Sequence, residues 1–233
     1  MQVTLLKFTP DPELTAALAA RLCYSDSSIA GLIDKFSSSE KPGVPIENLL
    51  GRILKMGHTS VLEHASFTLG IEGISRATSH QLVRHRLASY SQQSQRYVKA
   101  SRPDYVTPET IAKDPKKKRR YDEAVKGVYA LYKELTDAGV PAEDARYILP
   151  NAACTKIIVT MNARELLHFF KLRCCERAQW EIREMAARML ALVKKEAPFI
   201  FKNAGPSCVG AVCSEGDMTC GKAKVIREKF RKL

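Results

Sequence analysis

The stretch Gln81-Leu82-Val83-Arg84-His85-Arg86-Leu87-Ala88-Ser89-Tyr90-Ser91-Gln92-Gln93-Ser94-Gln95-Arg96-Tyr97 holds three arginines, one histidine, four glutamines and three serines, and no acid. Three guanidiniums with no carboxylate beside them along the chain call for an anion from outside the segment, because charge taken out of water is costly unless paired. The planar guanidinium fork suits phosphate and carboxylate oxygens. Glutamine and serine both donate and accept, as reading the edge of a base requires. Tyr90 and Tyr97 interleave aromatic faces. The plainer alternative is an exposed polar helix end with ordinary salt bridges, and the missing acids count against it.

Working outward toward the N-terminus, a helix is expected over about residues 74–86. Before it, Ala65, Phe67, Leu69 and Ile71 alternate like a half-buried strand. Ile46, Leu49, Leu50, Ile53 and Leu54 form one helical stripe, with Gly57 placed to end it. Residues 25–45 are rich in Ser, Gly and Pro and read as a loop with one short helical piece. Asp11-Pro12 opens a helix with an acid at the N-cap and proline at the first helical position, and residues 3–8 suit a strand.

Toward the C-terminus, Pro103, Pro108 and Pro115 with the basic run make residues 102–120 an excursion from the core. Tyr121, Val125, Val128, Tyr132 and Leu135 mark a helical seam that ends at Gly139. Pro141 restarts a short helix that Pro150 stops, and residues 155–161 are β-rich. Asn162 then reads as an N-cap with Glu165 as its capping-box partner. Ala178, Ile182, Met185, Met189 and Leu192 define a last long helix before Pro198. Strands and helices mix without a βαβ rhythm, and neither a repeat nor a linker stands out. The expected class is α+β, helices packed on a mainly antiparallel sheet in a single domain.

The 233 residues, at 26.0 kDa and 45% hydrophobic, are too apolar for general disorder. No apolar run approaches the roughly 18 residues that cross a bilayer, so no membrane partner is expected. The N-terminal MQVTLLKFTPDPE lacks the basic and apolar regions of a secretory signal. Seven cysteines are an odd number, and Cys174 and Cys175 are adjacent. That is poor material for a disulfide framework and points to a reducing cytoplasm.

The net charge of +12 is local. Residues 113–120 and 222–233 each carry six bases and one acid, which leaves the rest of the chain near neutrality. Solvated charge on a loop and a tail explains this more simply than a nucleic-acid surface. No G-x-G-x-x-G, P-loop or H-E-x-x-H pattern is present. Cys208, Cys213 and Cys220 lack a Cys-x2-Cys pair and a nearby histidine, so no metal is expected.

Arg84-His85-Arg86, then seven residues, then Ser94, resembles the R-H-R-x7-S signature of the flavin-dependent (alternative) thymidylate synthases. The resemblance extends to Gly57-His58-Thr59-Ser60 with Glu63-His64, to Gly139-Val140-Pro141 with Ala145-Arg146 and Leu149-Pro150, and to Asn162-Ala163-Arg164 with Leu172-Arg173. It also takes in Ala178-Gln179-Trp180-Glu181-Ile182. It implies reductive methylation of dUMP to dTMP. Methylenetetrahydrofolate supplies the methylene, NADPH reduces a bound FAD that supplies the hydride, and tetrahydrofolate is released. It further implies a non-Rossmann flavin site between subunits of a homotetramer with shared active sites.

Carried over residue by residue, the resemblance makes His58, Ser60, Arg84, His85, Arg86, Gln92, Asn162, Arg164 and His168 flavin contacts. The nucleotide falls to Gln81, Leu82, Val83, Arg84, Gln92, Gln93, Ser94, Gln95, Arg96, Arg146 and Arg173. Among these, Arg96 and Arg146 are the expected phosphate clamps. Arg173 is the catalytic group that faces the uracil and stabilises its N3 anion. Ser94 has no base at an activating spacing and reads as a positioning hydroxyl. Gln92 stands where relatives often carry an acid. The resemblance covers roughly residues 48–200 and implies a catalytic domain over residues 1–204. Residues 205–233 form a Cys-containing basic extension without a mapped counterpart, expected to be poorly ordered. The competing reading, a basic nucleic-acid-binding protein, requires steep salt-dependent binding and no chromophore.

Overall fold

The computed structural model describes residues 1–37 and 43–233. Residues 38–42 of the expected 25–45 loop lie outside the described residues. In chain order the elements are β1 (Gln2–Phe8), α1 (Pro12–Leu22), α2 (Ile29–Ser37), α3 (Gly43–Met56), a 3-10 turn (Thr59–His64), β2 (Ser66–Ser75), α4 (Arg76–Leu82) and β3 (Ala88–Gln92). There follow α5 (Glu109–Ala112), α6 (Pro115–Asp137), α7 (Ala142–Ala145), β4 (Cys154–Asn162), α8 (Ala163–Arg173), α9 (Trp180–Glu196), α10 (Ser207–Gly210) and α11 (Ala223–Arg231). The strands form one antiparallel sheet in the order β1-β2-β4-β3, so the chain is α+β. Contacts divide it into two compact units, and the division runs within strands, not at a linker.

The first unit comprises Met1–Gln2, Ile71–Arg84 and Tyr90–Ile158. The helix expected over residues 74–86 ends at Leu82 and is replaced by a turn, so Arg84, His85 and Arg86 are not helical. Ser75 caps α4 by accepting from the Thr78 amide at 3.1 Å. The seam on α6 is real, with Val125, Tyr129 and Tyr132 buried. Its beginning differs from expectation. Pro115 opens the helix, Asp114 accepts from the Lys116 and Lys117 amides at 3.0 and 3.2 Å, and the basic run lies on the first turns of α6. A proline that would break a helix interior suits its first position, where no amide donor is needed. Tyrosine hydroxyls fasten the preceding segment to this helix: Tyr129 donates to the Asp104 carbonyl and Tyr121 to the Val106 carbonyl.

The second unit comprises Val3–Gly70, His85–Ser89 and Val159–Leu233. Phe67, Leu62, Phe169, Phe170 and Phe201 fill its core without solvent exposure. The rings of Phe67, Phe170 and Phe201 meet edge-on at 5.6 and 6.0 Å. Gly57 takes φ 77° and ends α3, as glycine can at little cost. Asp11 occupies the N-cap of α1 at φ 45°, yet its side chain caps nothing. Glu13 instead accepts from the Ile200 amide at 3.0 Å and from the Phe199 amide, tying α1 to the segment that follows α9.

The C-terminal segment corrects the expectation of poor order. Cys208, Ile226 and Phe230 are buried. Arg227 donates to the carbonyls of Cys208 and Ala211, and Lys194 to that of Phe230. The close approach is at Gly205 (φ 137°), where an added Cβ would stand 2.9 Å from the Phe230 ring. Ile226 and Phe230 are four apart and share a helix face, which is why a strongly basic tail still has a side to bury.

Candidate functional site

In the second unit the site is built on one face of α8. Asn162 caps this helix by accepting from the Glu165 amide at 2.9 Å. Glu165, His168, Phe169 and Arg173 then recur at i, i+3, i+4 and i+8, which stacks them on a common stripe. The turn after Arg84 inserts His85 against that stripe, its ring 4.9 Å from Phe169 and 5.9 Å from His168. His85 Nδ1 lies 3.0 Å from Glu165 Oε1, and Arg173 Nε donates to His85 Nε2 at 3.0 Å. Histidine and glutamate are 5% and 6% exposed, so this is a buried contact.

The capping-box role expected of Glu165 is therefore not the one it plays. Its carboxylate reaches His85 across 80 residues of sequence. Burial pushes the His85 pKa below its ordinary value and the Arg173 charge adds to that, while the hydrogen bond and charge of Glu165 oppose it.

Around this buried set stand exposed polar groups. Arg86, Arg164, His168, His58 and Ser60 are all exposed, and Arg164 pairs with Glu63. Arg86 has no acidic partner among the described residues. His58 occupies the N-cap of the 3-10 turn directly after Gly57, with Ser60 inside that turn. Donors outnumber acceptors here, so the set suits an anionic ligand bearing phosphate.

In the first unit, Gln92 donates through Nε2 to Ser79 Oγ at 2.9 Å and Thr155 Oγ1 at 3.2 Å. Gln81 Nε2 turns back to the Ala77 carbonyl, Leu82 is fully buried, and Val83, Arg84 and Gln93 are exposed. Ser94 Oγ accepts from the Arg96 amide at 3.1 Å, a turn contact with no general base beside it among the described residues. Arg96 pairs with Glu143 at 2.8 Å and lies over the Tyr97 ring.

Arg146 and Gln95 border a small pocket of about 270 Å³, together with Arg76, His80, Tyr147 and Asn151. The Arg76 guanidinium is held below its usual pKa by burial and by repulsion from Arg146. Two like charges thus converge on a pocket whose lining contains no acid. Arg76 and His80 were not expected from sequence. Their signal was legible, since they stand four apart on α4 and share a face.

The basic run shows ordinary surface pairing. Lys113 meets Glu109, Lys117 meets Asp114 and Arg119 meets Glu123, all largely exposed, and Lys118 meets Asp122. No helix among the described residues is long and apolar enough to cross a membrane.

Residues 4–199 match the family described as thymidylate synthase complementing protein. The chain is 57% identical over 235 residues to a flavin-dependent thymidylate synthase of Geobacter sulfurreducens, covering 100% of this chain and 99% of that one. It is 46% identical to the enzyme of the same name from Clostridium tetani, with 99% and 97% covered. To that of Pyrococcus furiosus it is 45% identical, with 100% and 98% covered.

Proposed function

Because the chain belongs to the thymidylate synthase complementing protein family, that of the flavin-dependent thymidylate synthases, we propose that it converts dUMP to dTMP. Methylenetetrahydrofolate is the one-carbon donor and NADPH the reductant. The observation that carries this reading is a surplus of cationic donors over acids in both units, matched to phosphate-bearing ligands, in a chain similar over its whole length to synthases of that name.

FAD fits the donor set of the second unit. Arg86 and Arg164, with Arg84 next in sequence to His85, would hold its phosphates, and His58, Ser60, Asn162 and His168 would line it. When bound, FAD supplies the hydride that turns a transferred methylene into a methyl group. His85 serves from inside, both ring nitrogens engaged by Glu165 and Arg173.

For the nucleotide, the pocket bordered by Arg146 and Gln95 suits the dUMP phosphate, with Arg96 as a second cation. Gln81, Gln92, Gln93, Ser94 and the Leu82-Val83-Arg84 backbone are assigned to the sugar and base. Arg173 donates to His85 through Nε, and its terminal nitrogens have no partner among the described residues. They are left to stabilise negative charge on a deprotonated uracil, which makes C5 a better nucleophile. Ser94 positions the base without attacking it, since no group beside it can take its proton.

We take residues 1–204 as the catalytic domain and 205–233 as an extension that packs within the second unit. A homotetramer with shared sites is supported by the number of ligands one 233-residue chain must hold. A cytoplasmic location is supported by seven free cysteines. The test is purification followed by a visible spectrum and an assay. Flavin absorbance, with dTMP formed only when NADPH and methylenetetrahydrofolate are both present, is expected. A colourless protein that binds DNA with steep salt dependence would overturn the reading.

A further inference from the structure

We propose that Glu165 is a positioning residue that fixes the tautomer of His85 and thereby aims Arg173. The inference rests on the reading of Arg173 as the group facing the pyrimidine. The geometry requires the tautomer directly. A guanidinium Nε carries a hydrogen and cannot accept, so the 3.0 Å contact from Arg173 makes His85 Nε2 the acceptor. The single ring proton of the neutral imidazole is then on Nδ1, where it donates to Glu165 Oε1 at 3.0 Å.

Glu165 selects this arrangement because a carboxylate can only accept, and the first turn of α8 favours its negative charge. With Nε bound to His85, that contact fixes the plane in which the Arg173 fork presents its terminal N–H groups. A protonated His85 would set an N–H against that Nε–H and lose the contact. The charged and titratable groups facing His85 are Glu165, Arg173 and His168, all on α8. Of these only Glu165 favours the protonated ring. It supplies the tautomer while burial and Arg173 keep the ring neutral.

Two measurements test this. In Glu165→Gln the side chain keeps its shape, loses its charge, and can donate to Nδ1, which would move the ring proton to Nε2 against Arg173. A misaimed guanidinium is expected to lower kcat on the order of 10- to 100-fold, with KM for dUMP changed far less. Loss of the carboxylate also removes the influence that raises the His85 pKa. The acid limb of the pH–rate profile, where activity falls as His85 protonates, should therefore move to lower pH. A residue that only packs would leave that limb in place. Unchanged kcat, or a lower kcat with an unmoved acid limb, overturns the proposal.

The second measurement needs no variant to fold. Histidine 15N spectra of the wild-type holoenzyme at neutral pH should show His85 with a protonated Nδ1 and a bare Nε2. A proton on Nε2, or on both nitrogens, overturns the proposal. Wild-type protein that forms no dTMP would instead count against the functional reading, while the tautomer would still be decided by the spectra.

Discussion

Arg86 stands exposed one residue beyond the buried His85 and has no acid to answer its charge among the described residues. If it meets the phosphates of FAD, Arg86→Ala removes a charge-assisted bond of about 1.5–3 kcal/mol. Flavin affinity should then fall about tenfold or more, read by titration of the apoprotein. Equal affinity in the variant would reject the assignment. At this scale much of the site was legible. The run of arginines without acids and the Asn162 cap follow from residue types and short spacings. The partnership of Glu165 with His85 was not legible, because the local rule that reads Glu165 as a capping-box acid is satisfied by its position alone. What overrides that rule is an imidazole 80 residues away whose Nδ1 meets the Glu165 carboxylate at 3.0 Å.

Elements follow the same division between local and distant causes. β2, β4, α6 and α9 were readable since each buries a periodic face. β3 was not, because Ala88–Gln92 is polar and has no apolar alternation to announce a strand. The C-terminal helix hid for another reason: its four bases, with Lys222 and Lys232 on either side, mask a buried face of only two large apolar residues, Ile226 and Phe230. That face makes α11 a packed element. Phe230→Ala deletes a ring 3% exposed that sits against Gly205. Destabilisation of about 3–5 kcal/mol is expected if the tail unfolds with the second unit. Denaturant unfolding combined with limited proteolysis would show this as a lower midpoint and early cleavage after residue 204. An unchanged midpoint and an uncut tail would mean that the segment only lies on the surface.

For the molecule as a whole, the proposed shared site makes a complementation experiment decisive. Arg96→Ala should cripple phosphate binding and Arg173→Ala activation of the base, so each pure variant should be nearly inactive. If different chains donate the two arginines to one site, random mixing in a closed symmetric oligomer restores roughly a quarter of sites. Mixed oligomers confirmed by mass that stay as inactive as their parents would show that one chain supplies both.

The reaction is defined finally by which group supplies the hydride. A flavin-borne hydride leaves the folate fully reduced, whereas a folate-borne one leaves it oxidised. The direct measurement is the folate product of a single purified-enzyme reaction with dUMP, methylenetetrahydrofolate and NADPH, quantified beside dTMP. Tetrahydrofolate equal in amount to dTMP is expected. Dihydrofolate in its place, or dTMP formed without any flavin bound, would contradict the account.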